Sequence, residues 1–292
     1  MRLAGTISGL TLALAASLGT WGVALAEDVA GKPVPGGINF QRAVTPIMEE
    51  IVWMDNFLLV IITLITIFVT ALLGYTVWKF RAENNPNEPQ RFTHNAKLEV
   101  VWTAVPVLIL LIIAVPSLRL LFNQLEIPEP DVTIKATGYQ WYWGYEYPEH
   151  DIEFTSIMLQ RDELEKYGYE QDEYLLATDT RVVVPVNANV HLLGTGADVI
   201  HNFAMPSFGL KMDVIPGRLN ETWFRATEVG TYFGQCSELC GINHAYMPIT
   251  IEVVSQDEYD AWVAEQVAAK RGDTDVADAG VDAGADLVKA AE

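Results

Sequence analysis

Two stretches in the first half of the chain have no polar rhythm at all. FLLVIITLITIFVTALLGYTVW, residues 57–78, runs 22 residues without a charge. At about 1.5 Å of rise per residue, a helix of that length crosses a hydrocarbon layer of about 30 Å. VVWTAVPVLILLIIAVPSLRLLF, beginning at Val100, is similarly long and carries Pro106 and Pro116. Its one charge, Arg119, lies near the end, where the side chain can reach polar surroundings. The pattern predicts two membrane-spanning helices, at 57–78 and 99–121, and its uninterrupted length argues against buried helices of a soluble protein.

Beyond residue 131 the period shortens. VTIKATG, RVVVPVNANVHLLGTG, ETWFRATE, TYFGQ and MPITIEVV are rich in β-branched and aromatic residues and are separated by Gly, Asn and Pro. That pattern predicts an all-β sandwich spanning 122–254. DELEKYGYEQDEYLL breaks it and reads as an acidic insertion, 159–174, of helical or irregular character. SQDEYDAWVAEQVAAK has a Ser cap and helical periodicity, which predicts a closing helix over 255–270. The Ala/Gly/Asp-rich stretch 271–292 reads as a disordered tail.

The polar segments then orient the hairpin. In the connection over 79–98 and at its edge, Lys79, Arg81, Arg91 and Lys97 outnumber Glu83, Glu88 and Glu99. Short basic connections stay in the cytoplasm. Segment 27–56 and the whole outer domain therefore face outward, into the periplasm of a bacterium. The first 26 residues agree, with Arg2, an apolar stretch, and small residues at Ala24 and Ala26 that mark a cleavable secretory signal.

Charge changes the picture once more. The chain of 292 residues carries a net charge of −20. Residues 122–292 hold 30 acidic and 10 basic residues, so all the excess lies on the outer domain. A surface of one sign can steer a cationic partner or serve solubility alone. It makes nucleic acid an unsuitable partner. Walker, dinucleotide, Ser/His/Asp and Cys-x-x-Cys-His patterns are all missing from the sequence.

The chemistry concentrates in CSELCGINHAYM, residues 236–247, which holds both cysteines of the chain. Strand-like segments run into it and out of it, so the loop is held at both ends. Outside the cytoplasm a disulfide between Cys236 and Cys240 is one reading. Structural zinc on Cys236, Cys240, His244 and an upstream His201 is another. Thiolate, imidazole and thioether together form the soft donor set that copper prefers, and Met247 has no place in a zinc site. Two thiolates can each bridge two ions, with His201 and His244 taking one ion each. His94, His150 and His191 have no such cluster around them and read as structural.

CSELCGINHAYMP, GADVIHNFAMPSFGLKMDVIPGR and GYQWYWGYEYP, behind a two-helix hairpin, resemble subunit II of the bacterial cytochrome c oxidases of the haem-copper family. The likeness runs from about Gly36 to Val254. It implies a two-helix transmembrane hairpin plus a cupredoxin-like sandwich in the inner membrane, carrying the binuclear copper centre CuA. That centre would take electrons from cytochrome c and pass them to haem in subunit I, where dioxygen is reduced and protons are pumped. The resemblance assigns CuA to His201, Cys236, Glu238 through its carbonyl, Cys240, His244 and Met247. It assigns the Glu238 carboxylate to a Mg²⁺ or Mn²⁺ ion against subunit I, a hard cation suited to oxygen.

The same likeness places electron input at Trp141, donor docking at Glu146, Asp179 and Asp198, and the mouth of a proton path at Glu99. Thr155 stands where many relatives carry an acid. Two other functions remain open here: a CuA-type domain serving a different terminal reductase, or a membrane-anchored copper-delivery protein.

Overall fold

The computed structural model describes residues 30–84 and 93–289. The expected signal, 1–26, lies outside the described residues, as does part of the connecting loop. Helix α1 (Pro46–Lys79) and helix α2 (Ala96–Leu125) form an antiparallel hairpin. Both are long and apolar enough to cross a membrane, and none of the apolar window of either is buried inside the protein. The two proline positions leave α2 unbroken.

Helix α1 starts about three turns earlier than the apolar run, because Thr45 and Pro46 make a start signal of their own. The Thr45 side chain accepts from the Met48 N–H, and proline at the first helical position lacks an N–H to orphan. Those early turns are not in the membrane stretch. Ile47 and Met48 are buried, and the Thr45 hydroxyl donates to the Phe208 carbonyl at 2.8 Å. The Glu50 carboxylate receives the Asn123 side-chain amide at 3.1 and 3.0 Å, which closes the end of the hairpin next to the strands.

Ten strands follow: β1 (Val132–Tyr139), β2 (Tyr142–Tyr147), β3 (Ile152–Ser156), β4 (Val182–Pro185), β5 (Val190–Gly196), β6 (His201–Met205), β7 (Leu210–Val214), β8 (Asn220–Phe224), β9 (Gly230–Cys236) and β10 (Pro248–Val254). They form two five-stranded sheets, ordered β3-β2-β1-β5-β8 and β4-β10-β9-β6-β7. The sheets face each other across a core that β2 fills by alternation. Trp143, Tyr145 and Tyr147 point inward with essentially no exposure, while Glu146 between them points out. Phe203 and Tyr232 on the other sheet, with Phe208 from the turn after β6, supply the opposite side.

Two strand pairs are parallel, β1 with β5 and β4 with β10. The acidic insertion folds as two short 3-10 turns, Leu164–Tyr167 and Gln171–Glu173. They cover a small separate core of Leu159, Leu164, Tyr169, Ala177 and Phe233. Helix α3 (Gln256–Lys289) extends beyond the 255–270 segment that the sequence pattern suggests. The stretch expected as a disordered tail is helical as far as Lys289. It has no proline and is rich in alanine, the best helix former, although Gly272, Gly280 and Gly284 each weaken the turn.

Candidate metal centre

The loop after β9 is pinned as its flanks suggest. Cys236 ends β9, Pro248 opens β10, and the two strands pair antiparallel from Pro248↔Gln235 onward. The third arm comes from β6, which pairs with β9 through Phe203↔Cys236. That register carries His201, at the head of β6, onto the cysteine loop. The Ser237 N–H donates to the Asn202 carbonyl at 3.1 Å and locks the two segments together.

Five side chains converge. Cys236 Sγ lies 3.8 Å from Cys240 Sγ and 4.0 Å from His201 Nδ1. Cys240 Sγ lies 3.5 Å from His244 Nδ1 and 3.5 Å from Met247 Sδ. The Glu238 carbonyl oxygen is 3.3 Å from Cys236 Sγ. Both cysteines are free and buried. His201 is wholly buried, Met247 nearly so, and His244 partly exposed.

This arrangement fits a metal better than it fits empty packing. Donors around one small ion, each bonded at about 2.0–2.3 Å, stand about this far apart. Among the described residues, His201, Cys236 and Cys240 are also the one His/Cys/acid group whose donor atoms gather closely enough to hold an ion. The charges agree. Burial pushes the Cys236 thiol up, but the His201 imidazole and main-chain groups of Asn202 and Glu238 outweigh it, and the thiol falls to about 7. Burial and the adjacent Cys236 push Cys240 up to about 12. Two sulfurs this close do not both ionise unless positive charge comes between them.

The surroundings hold the donors rather than supply them. His201 Nε2 faces Asp198 Oδ1 at 2.8 Å, which leaves Nδ1 aimed at sulfur. Burial lowers the His201 pKa, but Cys236 and Asp198 raise it by more. The Trp143 indole donates to the Met247 carbonyl at 3.2 Å, and its ring meets His201 edge-on. Gly138 is required beneath His201, because a Cβ there would lie 2.8 Å from the imidazole.

The chain belongs to the cytochrome c oxidase subunit II family. Residues 132–254 match the family described as "Cytochrome C oxidase subunit II, periplasmic domain". Residues 33–120 match "Cytochrome C oxidase subunit II, transmembrane domain". Cytochrome c oxidase subunit 2 of Cereibacter sphaeroides is 50% identical over 91% of this chain and 93% of its own. A probable cytochrome c oxidase subunit 2 of Rickettsia felis is 51% identical over 81% of this chain and 74% of its own. Among solved structures, the periplasmic domain of subunit II of cytochrome oxidase of Bradyrhizobium japonicum is 52% identical. It covers 48% of this chain and 96% of that one, with a TM-score of 0.44. By family, then, this chain is a membrane subunit of a haem-copper oxidase, and its sandwich is cupredoxin-like.

Not every residue expected at a subunit II site stands alone at the surface. Trp141 lies against the metal loop, its indole donating to the Cys240 carbonyl at 3.3 Å. Glu238 turns its carbonyl inward and keeps an exposed side chain. The three acids expected at a docking surface all have internal contacts. Glu146 binds Lys135 at 2.7 Å, Asp179 accepts from the Ile157 N–H at 2.8 Å, and Asp198 holds His201. Glu99 lies in the first turn of α2, where its carboxylate accepts from the Asn95 N–H at 3.2 Å. The sequence reading missed Asp198 as a support for His201 and Gly138 as its floor. For the first, the three-residue spacing to a candidate ligand was the available signal; for the second there was none.

Proposed function

We propose that this chain admits electrons to its oxidase through a binuclear CuA centre held by His201, Cys236, Cys240, His244, Met247 and the Glu238 carbonyl. One observation carries the reading: two buried, unjoined sulfurs, 3.8 Å apart, each facing an imidazole Nδ1. When bound, the copper pair supplies a one-electron store whose charge is shared between two ions. The chain's own work is to hold the donors nearly still. The loop is clamped by β9 and β10, Asp198 fixes the tilt of His201, and the aromatic wall of Trp143 and Phe203 keeps water away. Small reorganisation on gaining and losing an electron follows from that rigidity.

The partners follow from the same reading. Cytochrome c delivers electrons at Trp141, drawn by the acidic outer domain with Glu146, Asp179 and Asp198 among its charges. Subunit I, with its haems and copper, receives them. The exposed carboxylate of Glu238 takes a Mg²⁺ or Mn²⁺ ion at that contact, and Glu99 marks the cytoplasmic mouth of a proton path. The outer domain stands in the periplasm, the hairpin lies in lipid of the inner membrane, and a signal segment over 1–26 directs the export. The test is copper analysis with electron paramagnetic resonance on the purified chain. Two coppers per chain and one electron spread over both nuclei are expected; a single-nucleus spectrum or stoichiometric zinc would overturn the assignment.

A further inference from the structure

The segment bearing Trp141 is fastened to both arms of the centre, and the fastening runs through its neighbour, Gln140. The Gln140 main-chain N–H donates to Asp198 Oδ2 at 2.7 Å, and the other oxygen of that carboxylate lies 2.8 Å from His201 Nε2. The Gln140 side-chain amide donates to the Cys240 carbonyl oxygen at 2.7 Å. The same oxygen accepts the Trp141 indole N–H at 3.3 Å. One residue thus touches the support of a ligand on β6 and the backbone of a ligand on the loop after β9.

The shared acceptor is the informative point. An N–H to oxygen distance of 3.3 Å is past the ordinary range, so the indole contact alone fixes little. A carbonyl has two lone pairs, and the shorter amide bond uses one while aiming the other. Gly241 makes the fit tight. Its φ is +128°, and a Cβ there would lie 2.9 Å from Trp141 Cζ2 and 3.1 Å from Gln140 Nε2. The face of the loop is therefore already filled by these two side chains. Gln140 itself is exposed, so its side chain contributes little to the core.

We propose that Gln140 is a positioning residue for electron input: it aims the Cys240 carbonyl at the Trp141 indole and keeps that contact in step with His201. The inference rests on Trp141 being the point of input. Its consequence is specific, because the Gln140 side chain then acts on the rate through Trp141, while the main-chain N–H that any residue would offer keeps its bond to Asp198.

The experiment uses the complete, copper-loaded oxidase carrying Gln140→Met, which keeps the length and removes the donor. The readings are the copper resonance spectrum, the reduction potential, kcat and KM with a cationic haem-protein donor, and the same set in a Trp141→Phe background. Spectrum, potential and KM stay at wild-type values. The rate of electron input falls on the order of ten-fold, and the double variant is no slower than Trp141→Phe alone. A wild-type rate for Gln140→Met beside a slow Trp141→Phe overturns the inference. So does a shifted spectrum or potential, which would make Gln140 a support of the metal, and so does an additive double variant. A full rate for Trp141→Phe removes the reading beneath it instead. If Gln140→Met fails to assemble, Gln140→Asn decides, since its shorter amide no longer reaches the Cys240 carbonyl and predicts the same slow rate with an unchanged spectrum.

Discussion

The hairpin and the outer domain use opposite logic. On α2 no residue is buried, and on α1 only Ile47 and Met48, at the end next to the sandwich, are. Leu73, Leu110 and Val115 stand in the open. In the outer domain the large apolar side chains turn inward, and Trp143, Tyr147 and Phe203 have almost no exposed surface. A helix satisfies its backbone within its own segment, so the hairpin needs only lipid and neighbouring subunits around its sides. The sandwich must satisfy its strands by distant pairings, such as β1 with β5 and β6 with β9. A site needing fixed donor distances therefore belongs in the second region, where the register is set by contacts the chain makes with itself.

The sharpest break in that contrast is Cys240→Ser. Cys240 faces both His244 and Met247, so its loss removes the hub of three donors. Copper binding falls from two ions to at most one, the shared-electron spectrum disappears, and turnover with a haem donor is abolished. The hairpin is untouched, and circular dichroism in detergent keeps its helical signal. Loading of the intact chain also depends on pH, in a direction the thiols set. Cys236, held near 7, is a thiolate above that value, and Cys240, pushed to about 12, keeps its proton until metal replaces it. Copper uptake by metal-free protein at pH 8 therefore releases at least one proton in an unbuffered titration, and apparent affinity weakens as pH falls through 7.

Next in size is Trp143→Ala. The side chain is fully buried, packs edge-on against Phe203, and donates to the Met247 carbonyl. Truncating such a residue costs about 3–5 kcal/mol. Denaturant unfolding followed by near-ultraviolet signal should register that loss in the outer domain. An unchanged midpoint would mean that the hairpin and its neighbours, not the core, hold the sandwich together.

How much of this was written locally explains what could be read. The spans, the strand-rich region and the cysteine loop are each contiguous, so their patterns appear in the sequence. His201 reaches the loop only through the β6–β9 pairing, and the resemblance, not spacing, assigned it. The role of Asp198 depends on the turn before β6, and that of Gly138 on a crossing between sheets. The first left only its three-residue spacing from His201 as a local signal, and the second left none. The true start of α1 did have one, in Thr45 and Pro46, but the apolar run beginning at residue 57 concealed it. Glu146, Asp179 and Asp198, expected from the resemblance to meet a donor, engage Lys135, Ile157 and His201 through contacts that no local pattern announced.

A milder break separates the acidic insertion from the sheet beneath it. Arg181, beside β4, stacks on Tyr169 at 4.4 Å, donates to the Tyr169 hydroxyl at 2.7 Å and to the Tyr167 carbonyl at 2.8 Å. Arg181→Met leaves the stem and removes the donors. The expected cost is about 1–3 kcal/mol, read as faster hydrogen exchange over 159–174 with an unaltered copper spectrum. Protection unchanged in that stretch would assign its order to the small core of Leu159, Leu164 and Phe233 alone.

The smallest expected effect lies where the two regions meet. Thr45 caps α1 through the Met48 N–H and also donates to the Phe208 carbonyl. Phe208 follows β6 by a short turn, and β6 begins at His201. The same strand thus links the membrane helix at one end to a candidate ligand at the other. Thr45→Val keeps the shape and deletes both hydrogen bonds, at a cost of about 1 kcal/mol for the cap. If the joint merely tethers two independent regions, the variant frays α1 near residue 48 and leaves electron flow into the partner subunit unchanged. If it sets the height of the centre above the membrane, transfer onward from the centre slows while its reduction by an external donor does not. We expect the second result, because Val44 is itself part of the sandwich core and donates its N–H to the Ser207 carbonyl at 3.1 Å. A single transient experiment that follows filling and emptying of the copper centre in turn distinguishes the two.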